Sequence, residues 1–188
     1  MSDLQHVDIK VYADQCDGVA ATEFVAVLQR WIQEDTIAGV LIDVADYSHI
    51  QDGAGIILVG HQFNVSIDYV DGRMGLLVHY KFTPGDTLEA RIGAAAQLAF
   101  EAAAILQDEP EFQGRLSFAR DGFRFMASDR LRAPNDDVSY DAVAQAVEAA
   151  AKSLSGGDAT LTRVNDDARD RLTVDVTTSV AVPSGVQA

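Results

Sequence analysis

The dipeptide Asp71-Gly72 and its flanks constrain the fold of this chain more than any other stretch. Asp-Gly between two alternating apolar runs signals a tight hairpin, because the turn needs the left-handed backbone that these residues tolerate. Pairing outward from it sets Tyr69 opposite Met74, Ile67 opposite Leu76, Val65 opposite Val78 and Phe63 opposite Tyr80. All are apolar or aromatic, so this face belongs to a core. The other face carries Asp68 by Gly75, Ser66 by Leu77, Asn64 by His79 and Gln62 by Lys81. A slip of one residue would invert the partition, so the register is determined. An antiparallel hairpin here excludes a purely parallel, doubly wound sheet.

Residues 7–14 alternate with period two and read as a half-buried strand. Phe24, Val27, Leu28, Trp31 and Ile32 form one apolar stripe at helical spacing, behind a cap at Thr22. Residues 38–44 and 56–60 are continuous apolar runs, too short for helices, and read as central strands buried on both faces. Residues 83–86 break the sheet, and Asp86 with Glu89 starts an Ala-rich helix reaching Leu106. Its small face permits close approach of a sheet or another helix. Asp121-Gly122 predicts a second hairpin, with Phe118 facing Phe125 and Leu116 facing Ala127. A third helix runs from Ser139 to Leu154 and ends at Gly156-Gly157. Residues 160–164 and 172–177 form a C-terminal hairpin that either completes the sheet or pairs with another subunit. The order is β-α-β-β-β-β-α-β-β-α-β-β. The expected fold is α+β: a largely antiparallel mixed sheet with three helices packed on it. Residues 1–156 form one domain; residues 157–188 add the hairpin and a tail that frays after Pro183.

The formal net charge of −15 argues against nucleic acid and anionic membrane as partners, since both require clustered cations. No apolar run approaches the ~18 residues of a membrane span. Residues 1–6 have neither a basic segment nor an apolar h-region, and the lone Cys16 cannot form an internal disulfide, so a cytoplasmic protein is expected. Asp14 and Asp17 beside Cys16 raise a thiol pKa and disfavour a nucleophile.

The polar loop between the two apolar runs gathers reactive residue types. Asp46, Tyr47, Ser48, His49 and Asp52, with His61 beyond the next strand, are candidate ligand-binding residues. Asp43, Asp46, His49 and His61 could hold a divalent metal if both histidines reach one end of the sheet. The same residues suit Asx-turns and local hydrogen bonds. Ser48-His49 lacks the Gly-x-Ser-x-Gly elbow of a hydrolase, and Gly53-Ala54-Gly55 precedes an apolar strand rather than the helix a phosphate loop needs. No Walker A motif exists to accompany residues 40–43. Arg124 and Arg130, within a cluster of arginines in an acidic chain, could grip an anion by bidentate hydrogen bonds or simply pair with aspartates. His79 is expected at a surface or interface.

Residues 41–55 resemble the strand-to-loop signature of STAS-type anti-sigma-antagonist domains, an apolar strand followed by Asp and Asp-Ser-Ser-Gly. The phosphoacceptor serine of that family falls on Gly53, and the Asp71-Gly72 hairpin replaces its helix–strand alternation. Trp31-Ile32-Gln33, Asp46-Tyr47-Ser48-His49 and Leu58-Val59-Gly60-His61 are similar to an uncharacterised family of bacterial proteins with no known activity. The expected function is a non-enzymatic domain that self-associates as a dimer through the Ala-faced helix or the C-terminal hairpin and takes a small ligand at the 45–55 loop. The alternatives are a metal-assisted or acid–base enzyme using Asp43, Asp46, His49 and His61, and a STAS-like regulatory module with a protein partner.

Overall fold

The computed structural model describes residues 4–50, 53 and 55–183. Twelve elements follow the expected order: β1 (Val7–Cys16), α1 (Ala21–Glu34), β2 (Leu41–Tyr47), β3 (Gly55–Gly60), β4 (Phe63–Asp68), β5 (Gly75–Tyr80), α2 (Leu88–Asp108), β6 (Leu116–Phe118), β7 (Gly122–Ala127), α3 (Asp137–Ser155), β8 (Ala159–Arg163) and β9 (Thr173–Thr178). One sheet runs β2-β3-β4-β5-β1-β7-β9-β8, with β6 against β1. Every pairing among the described residues is antiparallel. The fold is α+β.

The β4–β5 register is the expected one: Phe63 faces Tyr80, Val65 faces Val78 and Ile67 faces Leu76. All six side chains are buried. The helices lie on this apolar face. α1 covers β2 and β3, α2 covers β1, β5 and β6, and α3 covers β8 and β9. Helix α1 buries Phe24, Val27, Leu28 and Trp31. It begins at Ala21, so Thr22 sits inside the first turn; Glu23 serves the N-terminus by accepting from the Ala20 amide at 2.8 Å. Helix α2 is capped by Thr87, whose hydroxyl accepts from the Ala90 amide. Its small face, Ala95, Ala99 and Ala102, is fully buried within the chain, where α2 packs on the sheet and on α3. Among the described residues no helix is long and apolar enough to cross a membrane.

The sheet departs from expectation in three places. β2 is an edge strand rather than a central one, and Val40 and Ile42 beside and within it are 65 % and 55 % exposed. An apolar run reports β propensity but not how many neighbours a strand has. β1 is the central strand instead, buried on both faces from Val7 to Tyr12. The expected hairpin at Asp121-Gly122 does not form. β6 and β7 run in one direction along the same edge of β1, from Leu116 opposite Cys16 to Ala127 opposite Val7. Gly122 is needed for closeness, not for a turn: a Cβ there would lie 2.1 Å from the Val176 carbonyl oxygen of β9. The C-terminal hairpin β8–β9 completes this sheet through β7.

Candidate functional site

The loop residues singled out in the sequence do not converge. β2 and β3 are neighbours, but antiparallel, with Tyr47 opposite Gly55 and Leu41 opposite Gly60. His49 therefore follows one end of this ribbon and His61 the other, where its amide bonds the Val40 carbonyl. The strand between spans roughly 20 Å at about 3.3 Å per residue. Asp43 and Asp46 lie an odd number of residues apart on β2 and so point to opposite faces. Among the described residues no three His, Cys, Asp or Glu side chains are placed to hold a metal ion. Asp46 accepts from the amide and hydroxyl of Ser48 at 2.8 and 2.6 Å, an Asx-turn, and the Ser48 side-chain bond above all lowers its pKa. Tyr47 stacks on His49 with ring centroids 6.5 Å apart. Asp43 accepts from the Val44 amide at 2.8 Å. Asp52 lies outside the described residues. Arg130 is a turn residue that reaches the Ala168 carbonyl at 3.3 Å.

The chemistry gathers instead on the sheet face that the helices leave bare. The alternation of β1 sends Ile9 and Val11 into the core and Asp8, Lys10 and Tyr12 to the opposite side. Ladder pairing then fixes their neighbours. Lys10 lies between Leu77 of β5 and Arg124 of β7, and Arg124 lies opposite Asp175 of β9. Two connections fold onto this face from opposite ends of β1, the β4–β5 turn and the β8–β9 loop. Between them is a hollow of about 300 Å³. Leu77 and Met126 contribute apolar surface from the sheet, and Val70 and Val164 from the two connections.

Lys10 is 1 % exposed. Its ammonium donates to Asp68 and Asp71, each at 2.6 Å, and to the Arg73 carbonyl at 2.8 Å, so its three protons are all used. Asp71 also accepts from the Tyr12 hydroxyl and from Arg124 at 2.8 Å. Arg124 commits its planar fork to Asp175 at 2.7 and 2.9 Å. Of the two uses open to Arg124, gripping an anion or pairing with aspartates, the fork is taken by the second, on a carboxylate of its own chain. Burial pushes the Asp71 carboxyl up, but the hydrogen bonds from Lys10 and Tyr12 outweigh it and hold the pKa at about 2. Burial, and then the bond to Asp71, push the Tyr12 phenol above its ordinary value. Hydrogen bonding to Asp175 raises Arg124. Arg73 stacks 3.9 Å from the centroid of the Tyr12 ring. At the other end Asp8 joins His79 at 2.5 Å and Arg171 at 2.9 Å, tying the β8–β9 loop to the sheet. His79 is thus a sheet-face residue, with His6 stacked 6.5 Å away.

Of the residues proposed from sequence, only Arg124 lines this hollow. Lys10, Asp68, Asp71 and Arg171 were not singled out. Their signal was present in part. Lys10 occupies a polar position in an alternating strand, Asp68 ends the strand before the hairpin turn and Asp71 lies in the turn itself. Their convergence depends on which strands become neighbours.

No protein-family model matches the chain, and no curated protein is significantly similar to it.

Proposed function

We propose that the protein is a cytoplasmic, non-enzymatic binding domain that takes a small molecule in the hollow on the open sheet face, rather than at the 45–55 loop. The observation that carries this reading is a buried lysine at the edge of an open cavity on the face no helix covers. Polar groups convergent on a partly apolar cavity are the usual make-up of a small-molecule site. The hollow is lined by Lys10, Arg124 and Arg171 and by Asp68, Asp71 and Asp170. Charges balance there, although the chain as a whole carries −15. Binding rather than catalysis is favoured because Lys10, Asp71 and Arg124 are each spent on partners within the chain. A fragment set screened by amide chemical shifts tests the reading: binders should shift Leu77, Met126 and Thr173. Leu77→Trp, which fills the hollow from the sheet, should abolish those shifts and leave circular dichroism unchanged. A screen in which no fragment shifts these amides would overturn it.

Self-association is a second reading, favoured by the exposed apolar side chains of the β2 edge, Val40, Ile42 and Tyr47. A two-fold axis at Val44 would set Asp43 against Ala45 and Asp46 against Ile42 of a second copy, so like charges do not oppose each other. Light scattering should give twice the mass of the chain; a monomer at all concentrations would exclude this dimer.

A further inference from the structure

We infer that β8, the edge strand opposite β2 in this sheet, takes an extended segment of a partner protein as an added antiparallel strand, with basic residues at the segment's ends.

The hydrogen bonds at the two ends of the β8–β9 ladder fix which backbone groups are free. The Val164 amide donates to the Thr173 carbonyl at 3.0 Å, and the Ser179 amide to the Asp158 carbonyl at 2.8 Å. Between them the register runs without a shift, from Ala159 opposite Thr178 to Arg163 opposite Val174. In an antiparallel ladder, residues bonded to the neighbour alternate with residues whose groups point the other way. Asp158, Thr160, Thr162 and Val164 therefore bond β9, and the amides and carbonyls of Ala159, Leu161 and Arg163 point out of the sheet. Among the described residues these groups meet no partner.

Free strand edges in native proteins are blunted by charge, proline, a bulge or a cover. Ala159-Thr160-Leu161-Thr162 has no charge and no proline, and Thr160 and Thr162 are exposed. A regular edge of this kind is where an extended segment adds, its main chain supplying the hydrogen bonds.

The flanking side chains set the partner's chemistry. Leu161 lies opposite Val176, which is 3 % exposed, so Ala159 and Leu161 face the helices and Thr160 and Thr162 the bare side. An added strand places apolar residues beside the first pair and β-branched polar residues beside the second. At the start of β8 the Asp158 side chain is 4.0 Å from Lys152 and 96 % exposed. At its end Asp137, bonded to Arg163, is 94 % exposed. Carboxylates at both ends, in a chain of net charge −15, favour Lys or Arg at the ends of the segment.

Titration of the full chain with the end-blocked peptide Lys-Val-Thr-Val-Thr-Val-Lys tests this, read by amide hydrogen exchange. Exchange at Ala159, Leu161 and Arg163 should slow by about tenfold or more. Thr160 and Thr162, already bonded to β9, should change little. N-methylation of the peptide's valines removes the donors that face the edge and should abolish the effect; N-methylation of its threonines, whose amides point away, should not. Replacing both lysines by glutamate should weaken binding. Leu161→Pro removes the central free amide without removing a bond to β9, and should lose the response while β9 stays protected. If that variant does not fold, the two N-methylated peptides still decide. No slowing with the lysine peptide, equal slowing with its valine-methylated form, or equal binding of the glutamate form would overturn the inference. Protection of these three amides in the chain alone, growing with its concentration, would overturn it as well, because a second copy then holds the edge.

Discussion

At the residue scale, Lys10 shows how a charge is kept inside a sheet protein. An ammonium out of water is tolerable only when its protons are all placed, and Asp68, Asp71 and the Arg73 carbonyl place them. Removing the lysine alone strands Asp68. Lys10→Met should therefore cost about 3–5 kcal/mol, read in urea by fluorescence of the single, fully buried Trp31. Replacing both partners, as Lys10→Met with Asp68→Leu, should recover most of the loss, because no uncompensated charge is then left in that pair. Asp71 makes a prediction in pH. Its pKa is depressed to about 2 in the fold, against about 3.9 in an unfolded chain. Its contribution to stability is thus complete above about pH 4 and is lost as pH falls from there through 2. Between these limits the melting temperature of the parent protein should fall more steeply than that of Asp71→Asn.

At the scale of elements, glycine at position 122 is the instructive case. Asp-Gly at 71–72 and Asp-Gly at 121–122 are the same local signal. Gly72 has φ +74° and makes a turn. Gly122 lies in β7, opposite Thr177, where a side chain would collide with the Val176 carbonyl. Gly122→Ala should destabilise the protein by about 1–3 kcal/mol. Amide exchange in β9 should rise more than exchange in β4 and β5, because the β7–β9 ladder is the part forced apart. The helices were more legible than the second hairpin. The stripe of α1 reflects a period internal to one segment, and the structure buries four of its members. The partner of a strand is not internal to the strand.

At the scale of the whole molecule, the helices among the described residues occupy one face of the sheet, and two connections pinned by ion pairs fold over the other. The small face of α2, expected to mediate dimerisation, is used inside the chain against the sheet and α3. The β2 edge leaves Ile42 and Tyr47 exposed, and Ile42→Asp should convert the proposed dimer to a monomer in light scattering without altering the helix content. A charge of −15 spread over the surface opposes association at low salt, so the dimer should strengthen as salt screens it.

Periodicity, turn chemistry and capping are local, and they sufficed for the order of elements, the β4–β5 register and the α+β class. The residues near Asp43, Asp46, His49 and His61 drew attention because they are close in sequence. Antiparallel pairing of β2 and β3 carries the two histidines to opposite ends, and strand alternation turns the two aspartates to opposite faces. Lys10, Asp68, Arg124 and Arg171 are far apart in the chain and meet because β1 lies between β5 and β7 while two distant connections fold over it. Strand neighbourhood is chosen by burial of the whole apolar face at once. It is a property of the assembled core that no single stretch of the sequence encodes.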